Sequence, residues 1–348
     1  MDTSIFFFGN IKTTMNLFKK DPLQIIAFQT YGTKTHLYIK GRAIEDEAID
    51  LTKRSLFSLL INTYKRFETD EIKHTKLRVT LADGRTFYTT TNKSGYYKIS
   101  EDVEDLSSLI NEEGWLHYEV KYEDEISGRI INHNNKFPGE MLIPKDNSEY
   151  GIISDIDDTI LHTGVVSKFK WRLIVNTLFK RAERRSPLEG AADFYHKLHR
   201  GSDGEKANPV YYVSHSPWNL YRYLEVFLMK NTFPKGPILL RTLSNFFGKK
   251  SLDEKPQKQK EIIQLLEMYP EQQFILIGDS GEHDADIYIE IAEAFPNRIK
   301  AIYLRSVKHE ARMLRIKGLF ENYKTTPTLL VESSEQAEMH AREQGFIA

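Results

Sequence analysis

Two aspartates, Asp155 and Asp157, follow the apolar run 150–153 and precede Ile160 and Leu161. This context places two carboxylates where a buried strand would end. A carboxylate at the tip of a strand can attack phosphorus if a cation offsets the repulsion between the two anions. A second carboxylate two residues further on can handle the proton of the leaving group. The pair therefore fits the nucleophile and the acid/base group of phosphoryl transfer.

Acidic pairs are also common in solvated turns, and the motif D-x-D-x-T alone does not separate these two interpretations. The structured alternative is a calcium loop, which needs Gly at its sixth position and Glu at its twelfth. Those positions hold Ile160 and Val166, which excludes the EF-hand pattern. The apolar flanks disfavour a solvated turn, because burying an acidic cluster is costly without a metal or a hydrogen-bonding role.

Three later segments supply groups that such a site needs. Asp279 follows the apolar run 274–277 and Gly278, and Asp284 comes five residues after it, so a second strand tip offers carboxylates to the same metal. Ser214 ends the strand-like run 209–214 and precedes a predicted helix, and its hydroxyl can donate to a phosphate oxygen. The segment 255–270 opens a helix with three lysines, among which Lys258 is positioned to neutralise phosphate and aspartate charge.

The strings SDIDDTI, YYVSHSPWNLY and FILIGDSGEHDADIY together resemble the catalytic domain of the actin-patch-associated phosphatidate phosphatase family, within the haloacid dehalogenase-like phosphatases. The resemblance is strong over about 150–305 and weaker before it, at 31–44 and 91–99. It implies a magnesium-dependent phosphatase that forms an aspartyl phosphate and converts phosphatidate to diacylglycerol. The implied roles are nucleophile for Asp155, acid/base for Asp157, phosphate binding for Ser214 and Lys258, and magnesium ligation for Asp155, Asp279 and the backbone carbonyl of Asp157.

Supporting roles are assigned to other residues near these motifs. Thr159 is expected to fix the loop geometry, and Asp284 is expected to support the metal site without binding the metal directly. For each residue, a purely structural hydrogen-bonding role is an equally good interpretation. His215, Trp218 and Asn219 are expected to shape the pocket for the leaving group. His215 departs from the family pattern, where a small residue is usual, and this puts leaving-group preference in doubt.

Other polar residues near the motifs are left out of the site. Asp158, Glu282 and Asp286 fit exposed loop carboxylates better than a third acid. His162 and His283 are poor candidates because magnesium prefers oxygen and zinc sites need a tighter set of ligands.

The composition is that of an ordinary globular chain of 348 residues, with 48 basic and 49 acidic side chains, so it shows no global preference for nucleic acid or membrane. The absence of cysteine excludes disulfides, thiolate zinc sites and a cysteine nucleophile. No apolar run reaches transmembrane length, and we expect a cytoplasmic location.

The hydrophobic pattern predicts two domains after a lead-in segment at 1–30. Alternating runs at 36–44, 76–81, 85–91 and 115–122, with a helix at 55–67, predict a small β-sandwich-like domain over 31–148. Strand-like runs at 150–154, 209–214, 238–242, 273–277, 301–304 and 328–332 alternate with helical stretches. They predict a Rossmann-like α/β domain over 149–348, a parallel sheet with helices on both faces and ligands at the carboxyl ends of the strands.

A long insertion at about 162–190 is positioned to cap the site. Its segment 168–185 combines apolar residues at helical spacing with seven basic residues and one acid. Such a helix can pack as a cap on the domain, or it can lie peripherally on an anionic membrane. The competing functions are a phosphatase for a soluble ester and a non-catalytic interaction module. A nucleic-acid substrate is disfavoured because no basic-aromatic groove is evident.

Overall fold

The computed structural model describes residues 21–46, 71–156, 190–241, 255–280, 284–306 and 310–348. The helix predicted at 55–67 and all but the last residue of the insertion predicted at 162–190 lie outside this part of the chain.

Eight strands form the amino-terminal part of the described chain. They are β1 (Leu23–Ala27), β2 (Thr30–Tyr31), β3 (His36–Glu45), β4 (Lys76–Leu81), β5 (Thr86–Thr90), β6 (Tyr96–Asp102), β7 (Trp115–Tyr122) and β8 (Phe137–Leu142). Short 3₁₀ turns lie at Ser107–Leu109 and Asn132–Asn135. The strands predicted at 36–44, 76–81, 85–91 and 115–122 are thereby confirmed within a residue or two.

These strands form two sheets around a shared core. One sheet has the order β1-β3-β6 and the other the order β2-β8-β7-β4-β5. Leu77, Val79 and Leu81 of β4 point into the core, which β1 and β3 line from the opposite sheet. The first strand begins at Leu23, within the predicted lead-in, because Leu23 and Ile25 alternate inward and pair with β3. Part of the segment predicted as a lead-in is thus a paired strand.

The carboxyl-terminal part is a six-stranded parallel sheet with helices between the strands. Its strands are β9 (Gly151–Asp155), β10 (Val210–Pro217), β11 (Ile238–Arg241), β12 (Phe274–Asp279), β13 (Ile299–Arg305) and β14 (Thr328–Val331), in the spatial order β11-β10-β9-β12-β13-β14. The described helices are α1 (Ala191–Arg200), α2 (Tyr221–Lys230), α3 (Gln257–Met268), α4 (Asp284–Ala294), α5 (Glu310–Asn322) and α6 (Ser334–Glu343), with a 3₁₀ turn at Trp218–Leu220 before α2. None of these helices is long and apolar enough to cross a bilayer.

Helices cover both faces of this sheet. Successive strand residues point to opposite faces, and Ile152 packs with α1, α2 and α6 whereas Ile153 packs with α3, α4 and α5. Both isoleucines are fully buried, which explains why β9 reads as a continuous apolar run rather than an alternating one. The α/β class with a parallel sheet is confirmed, as are the six predicted strands.

The two parts share a closely packed aromatic contact. Tyr31 of the amino-terminal part lies against Tyr211 of β10 and Tyr269 after α3, with ring centroids 6.0 and 6.3 Å away, and Tyr38 packs beside it at 5.3 Å. The Tyr269 hydroxyl donates to the carbonyl of Gly32 over 2.9 Å. Aromatic rings bury large areas, and separating the two parts would expose this surface. The boundary near 149 is therefore a change of architecture across a continuous core.

We expect the two parts to unfold as one cooperative unit because this shared core couples them. In urea, tryptophan fluorescence and far-ultraviolet circular dichroism should report a single transition with the same midpoint. Two separated transitions, or a plateau between them, would show that each part is stable alone.

Candidate active site

Asp155 ends β9, the strand at the centre of the parallel sheet. Its backbone lies in register with Val213 of β10, and Ser154 lies in register with Ile277 of β12. The carboxyl ends of three neighbouring strands therefore meet around this side chain, which is only 4% exposed. Ser154 supports the position, since its hydroxyl donates to the Asp155 carbonyl over 3.0 Å.

Two further buried carboxylates lie beside Asp155. Asp279 ends β12 and Asp284 begins α4, and one oxygen from each of the three aspartates lies within 4.8 Å of the other two. The Asp279 N–H also donates to Asp284 Oδ2 over 3.3 Å. The structure thus brings Asp155 and Asp279 together as predicted. It also places the carboxylate of Asp284 beside them, although this residue was expected only to support the metal site without binding the metal directly.

Lys258 of α3 lies between two of these acids. Its Nζ is 2.8 Å from Asp155 Oδ1, forms a second ion pair with Asp284 Oδ1, and lies 5.8 Å from the centroid of the Tyr288 ring. Burial opposes the charge of this ammonium, but the adjacent Asp155 and Asp284 outweigh burial and hold the pKa of Lys258 well above its usual range. The lysine is therefore charged and bridges the carboxylates, while its predicted contact with phosphate stays a prediction.

The charges of this cluster do not balance among these four side chains. Three carboxylates face one ammonium, which leaves two negative charges uncompensated when all four groups are ionised. Burial, followed by repulsion from Asp155 and Asp279, raises the pKa of Asp284 to about 8 against the opposing effect of Lys258. A divalent cation would restore neutrality, and three carboxylate oxygens are ligands that suit Mg²⁺. The residues present therefore fit a magnesium site.

Ser214 lies on the neighbouring strand at an irregularity of the ladder. Val213 and Pro217 of β10 pair with Leu239 and Arg241 of β11, so four steps along β10 match two steps along β11. The resulting bulge contains Ser214–Ser216, and the Ser214 hydroxyl accepts from the N–H of Ser216 over 2.9 Å. Bulges reorient side chains next to functional sites.

The remaining predicted site residues fall into two groups. Asp157 and Thr159 lie outside the described residues, and so does the side chain of His215. Trp218 and Asn219 are buried in the turn that follows β10, and the Trp218 ring stacks on Phe28 of the amino-terminal part with 4.1 Å between centroids. The pocket role of these residues stays a prediction, but Trp218 has a clear packing partner.

Asp286 lies on α4 rather than in a loop, and it forms a surface ion pair with Arg315. Asp158, His162, Glu282 and His283 lie outside the described residues.

Two supporting residues were not anticipated from the sequence. A Cβ at Gly278 would overlap Asp284 Oδ2 and lie 2.9 Å from the Tyr288 ring, so only glycine leaves room for the acid. Tyr288 follows Asp284 by one helical turn, which puts both on one face of α4, and its hydroxyl donates to the Ile277 carbonyl over 3.0 Å. The available signals were a glycine directly before the acid and an aromatic residue four positions after Asp284.

Buried acids and a lysine thus lie together at the carboxyl ends of the strands of a parallel α/β sheet. Because uncompensated buried charge is costly to retain without a function, this arrangement indicates a catalytic domain rather than a structural scaffold. Residues 150–306 match the family model described as "Phosphatidate phosphatase APP1, catalytic domain". These residues therefore belong to the APP1 catalytic-domain family.

Two curated proteins of yeasts are similar over a wider part of the chain. The "Phosphatidate phosphatase APP1" of Saccharomyces cerevisiae is 34% identical over 237 residues, which is 68% of this chain and 37% of that protein. An uncharacterised protein of Schizosaccharomyces pombe is 28% identical over 203 residues, which is 53% of this chain and 32% of that protein. The chain thus matches about a third of the length of these relatives.

A solved structure, the CARDB domain of a Pyrococcus furiosus protein in complex with di-metal ions, aligns with 35% of this chain and 85% of its own at 10% identity. The TM-score of 0.18 is too low to establish a shared fold.

We expect Gly278→Ala to destabilise the protein by about 1–3 kcal/mol, because the added methyl group must displace Asp284 or the Tyr288 ring in a packed interior. Gly318→Ala is the matched control, since a Cβ at this position on α5 meets no atom within 4 Å, and alanine favours a helix over glycine. Urea unfolding measures the free energy of unfolding of both variants. A Gly278→Ala protein as stable as the parent would contradict the proposed close approach.

Proposed function

We propose that this protein is a magnesium-dependent phosphatase that hydrolyses a phosphomonoester through an aspartyl-phosphate intermediate on Asp155. The observation that carries the proposal is the cluster of Asp155, Asp279 and Asp284 around Lys258, with a deficit of positive charge suited to one divalent cation. The match of 150–306 to a phosphatidate phosphatase catalytic domain supports the same reaction.

In the proposed mechanism, Asp155 is the nucleophile. Its carboxylate attacks the phosphorus atom in line and the ester oxygen departs. Lys258 holds the Asp155 carboxylate through the 2.8 Å ion pair and would offset charge on the phosphate. When bound between Asp155, Asp279 and Asp284, Mg²⁺ would supply electrostatic stabilisation of the transferring group. Asp157 is assigned as the group that protonates the leaving oxygen and then deprotonates the attacking water, on the resemblance of its motif alone.

Ser214 is assigned to a phosphate oxygen. The bulge removes this residue from the regular ladder at the same edge of the sheet as Asp155, and a hydroxyl there can donate to an anionic oxygen. The products of the complete cycle are inorganic phosphate and an alcohol.

Phosphatidate is the substrate that we propose, with diacylglycerol as the product. The support is the printed name of the Saccharomyces cerevisiae relative, together with the basic segment 168–185, which lies outside the described residues and is a sequence-based candidate for contact with an anionic membrane. A soluble phosphate ester is the alternative substrate for the same acids.

We also propose a specific fold for each of the two parts of the chain. The strand order, with the nucleophile on the central strand, supports a haloacid dehalogenase-like domain, and the two sheets with a shared core support a β-sandwich before it. We propose a cytoplasmic enzyme with peripheral access to membranes.

We expect Asp155→Asn to lower turnover by at least about three orders of magnitude, since an amide cannot act as the nucleophile. The melting temperature should stay unchanged or rise, because one of three mutually repelling charges is removed. Phosphate release and thermal unfolding measure the two effects. Asp286→Asn is the control, because this acid lies on α4 at the surface, and it should keep parent activity. Near-parent turnover of Asp155→Asn would refute the nucleophile.

Chelation by EDTA should abolish activity, and magnesium should restore it. Calcium should not, because its larger coordination shell misplaces Asp155 for in-line attack. Magnesium should also raise the melting temperature of the parent and raise it less in Asp279→Asn. Full activity after exhaustive chelation would exclude the metal assignment.

The substrate proposal is tested by phosphate release from phosphatidate in mixed micelles, lysophosphatidate, sugar phosphates, nucleotides and a chromogenic aryl phosphate. We expect the highest kcat/KM for phosphatidate. A higher value for a soluble ester would leave the phosphatase in place and replace its substrate.

A further inference from the structure

The segment that carries Ser214 departs from the regular pairing of its sheet. We define the phosphate loop as Ser214–Trp218, the end of β10 and the first residue of the turn that follows. Its bulge interrupts the pairing with β11 between Val213 and Pro217. A bulged segment loses regular ladder bonds on that side, so packing must contribute to its conformation.

The last residue of the phosphate loop is packed against the amino-terminal β part. The Trp218 and Phe28 rings stack with centroids 4.1 Å apart and an interplanar angle of 25°. Tyr221, the first residue of α2, lies 4.8 Å from the Phe28 ring and 6.1 Å from the Trp218 ring. Phe28 is 2% exposed and Trp218 is 5% exposed, so the contact excludes water.

Phe28 is itself fixed by the sheet behind it. Its N–H donates to the carbonyl of Lys40 on β3 over 3.0 Å, and Lys40 Nζ lies 5.2 Å from the centroid of the Trp218 ring. The next residue, Gln29, donates its N–H to the Tyr221 hydroxyl over 2.7 Å. Two consecutive residues of the β part thus fix the two ring positions that frame the start of α2.

From these contacts we infer that Phe28 and Lys40 are positioning residues for phosphate binding, so that the amino-terminal β part completes the active site from outside the catalytic domain. The inference rests on the proposed function of the phosphate loop. Phe28 is a positioning residue and makes no contact with the substrate. It fixes Trp218, and Trp218 fixes the bulge that aims Ser214.

The physical reason is the steep dependence of phosphoryl transfer on geometry. A displacement of about 1 Å in a positioning group can cost about 100-fold in rate. Leucine at position 28 keeps an apolar side chain but cannot stack on the indole, so the phosphate loop would gain alternative positions. The expected consequence is weaker phosphate binding and slower turnover together.

The test compares Phe28→Leu with Trp115→Leu in the full-length protein. Trp115 is an equally buried ring between the two parts, and it lies 4.4 Å from Lys235. Lys235 precedes β11 and forms an ion pair with Glu140 of β8 over 2.6 Å. Both substitutions weaken the interface, but only Phe28→Leu removes the ring that stacks on Trp218. Assays are run below the unfolding midpoint of the less stable variant.

Two readings are taken from each protein: kcat and KM on a chromogenic aryl phosphate, and the dissociation constant of inorganic phosphate by calorimetry in magnesium. We expect Phe28→Leu to lower kcat/KM by about 10-fold to 100-fold and to weaken phosphate binding by about 10-fold. Trp115→Leu should change neither by more than about twofold, at a similar loss of melting temperature.

Trp218→Phe, which keeps a ring, should retain more activity than Trp218→Leu. The double variant Phe28→Leu/Trp218→Leu should be no worse than the poorer single variant, because both remove one contact. Equal losses in Phe28→Leu and Trp115→Leu, or parent-like phosphate binding in Phe28→Leu, would overturn the inference. A parent protein that binds phosphate but hydrolyses no ester would instead refute the proposed function.

Discussion

Repulsion among three buried carboxylates is the constraint on which the carboxyl-terminal part depends. Asp155, Asp279 and Asp284 are held within 4.8 Å of one another, where water cannot screen them, and Lys258 compensates only part of their charge. Several features reduce this cost. The central position of β9 fixes Asp155 from both sides, Gly278 leaves room for Asp284, and α3 delivers the ammonium between two of the acids. Burial, together with the repulsion from Asp155 and Asp279, still raises the pKa of Asp284 to about 8.

The amino-terminal β part contributes to the same arrangement from a different direction. Its contacts reach both ends of the parallel strands: Phe28 contacts Trp218 after the carboxyl end of β10, and Tyr31 contacts Tyr269 before the amino end of β12. A sheet contacted at both ends of its strands by one partner has little freedom to tilt against that partner. The segment Ser214–Trp218 is therefore packed against strands that carry no proposed chemistry.

Much of the fold and of the acid cluster could be predicted from the sequence, because the informative sequence patterns are local. Apolar runs that end in acids gave the strands and the positions of Asp155 and Asp279, and parallel topology then required their tips to converge. The features that the sequence did not predict depend on contacts between residues far apart in the chain. The direct place of Asp284 in the acid cluster requires the angle at which α4 leaves β12, and the burial of Trp218 requires Phe28, which is 190 positions earlier in the chain. The strand at Leu23 was missed because five residues with one polar interruption are a weak signal without their partner β3.

The aromatic contact between the two parts also bears on how such chains diverge. The family model covers 150–306, whereas Tyr211, Tyr269 and Trp218 within that span are covered by residues before it. A gene encoding the catalytic span alone would produce a domain with an apolar, ring-rich face in contact with water. Recombination at this boundary is therefore viable only where a new neighbour covers that face or polar substitutions accumulate on it. The two architectures are expected to be inherited together as one evolutionary unit.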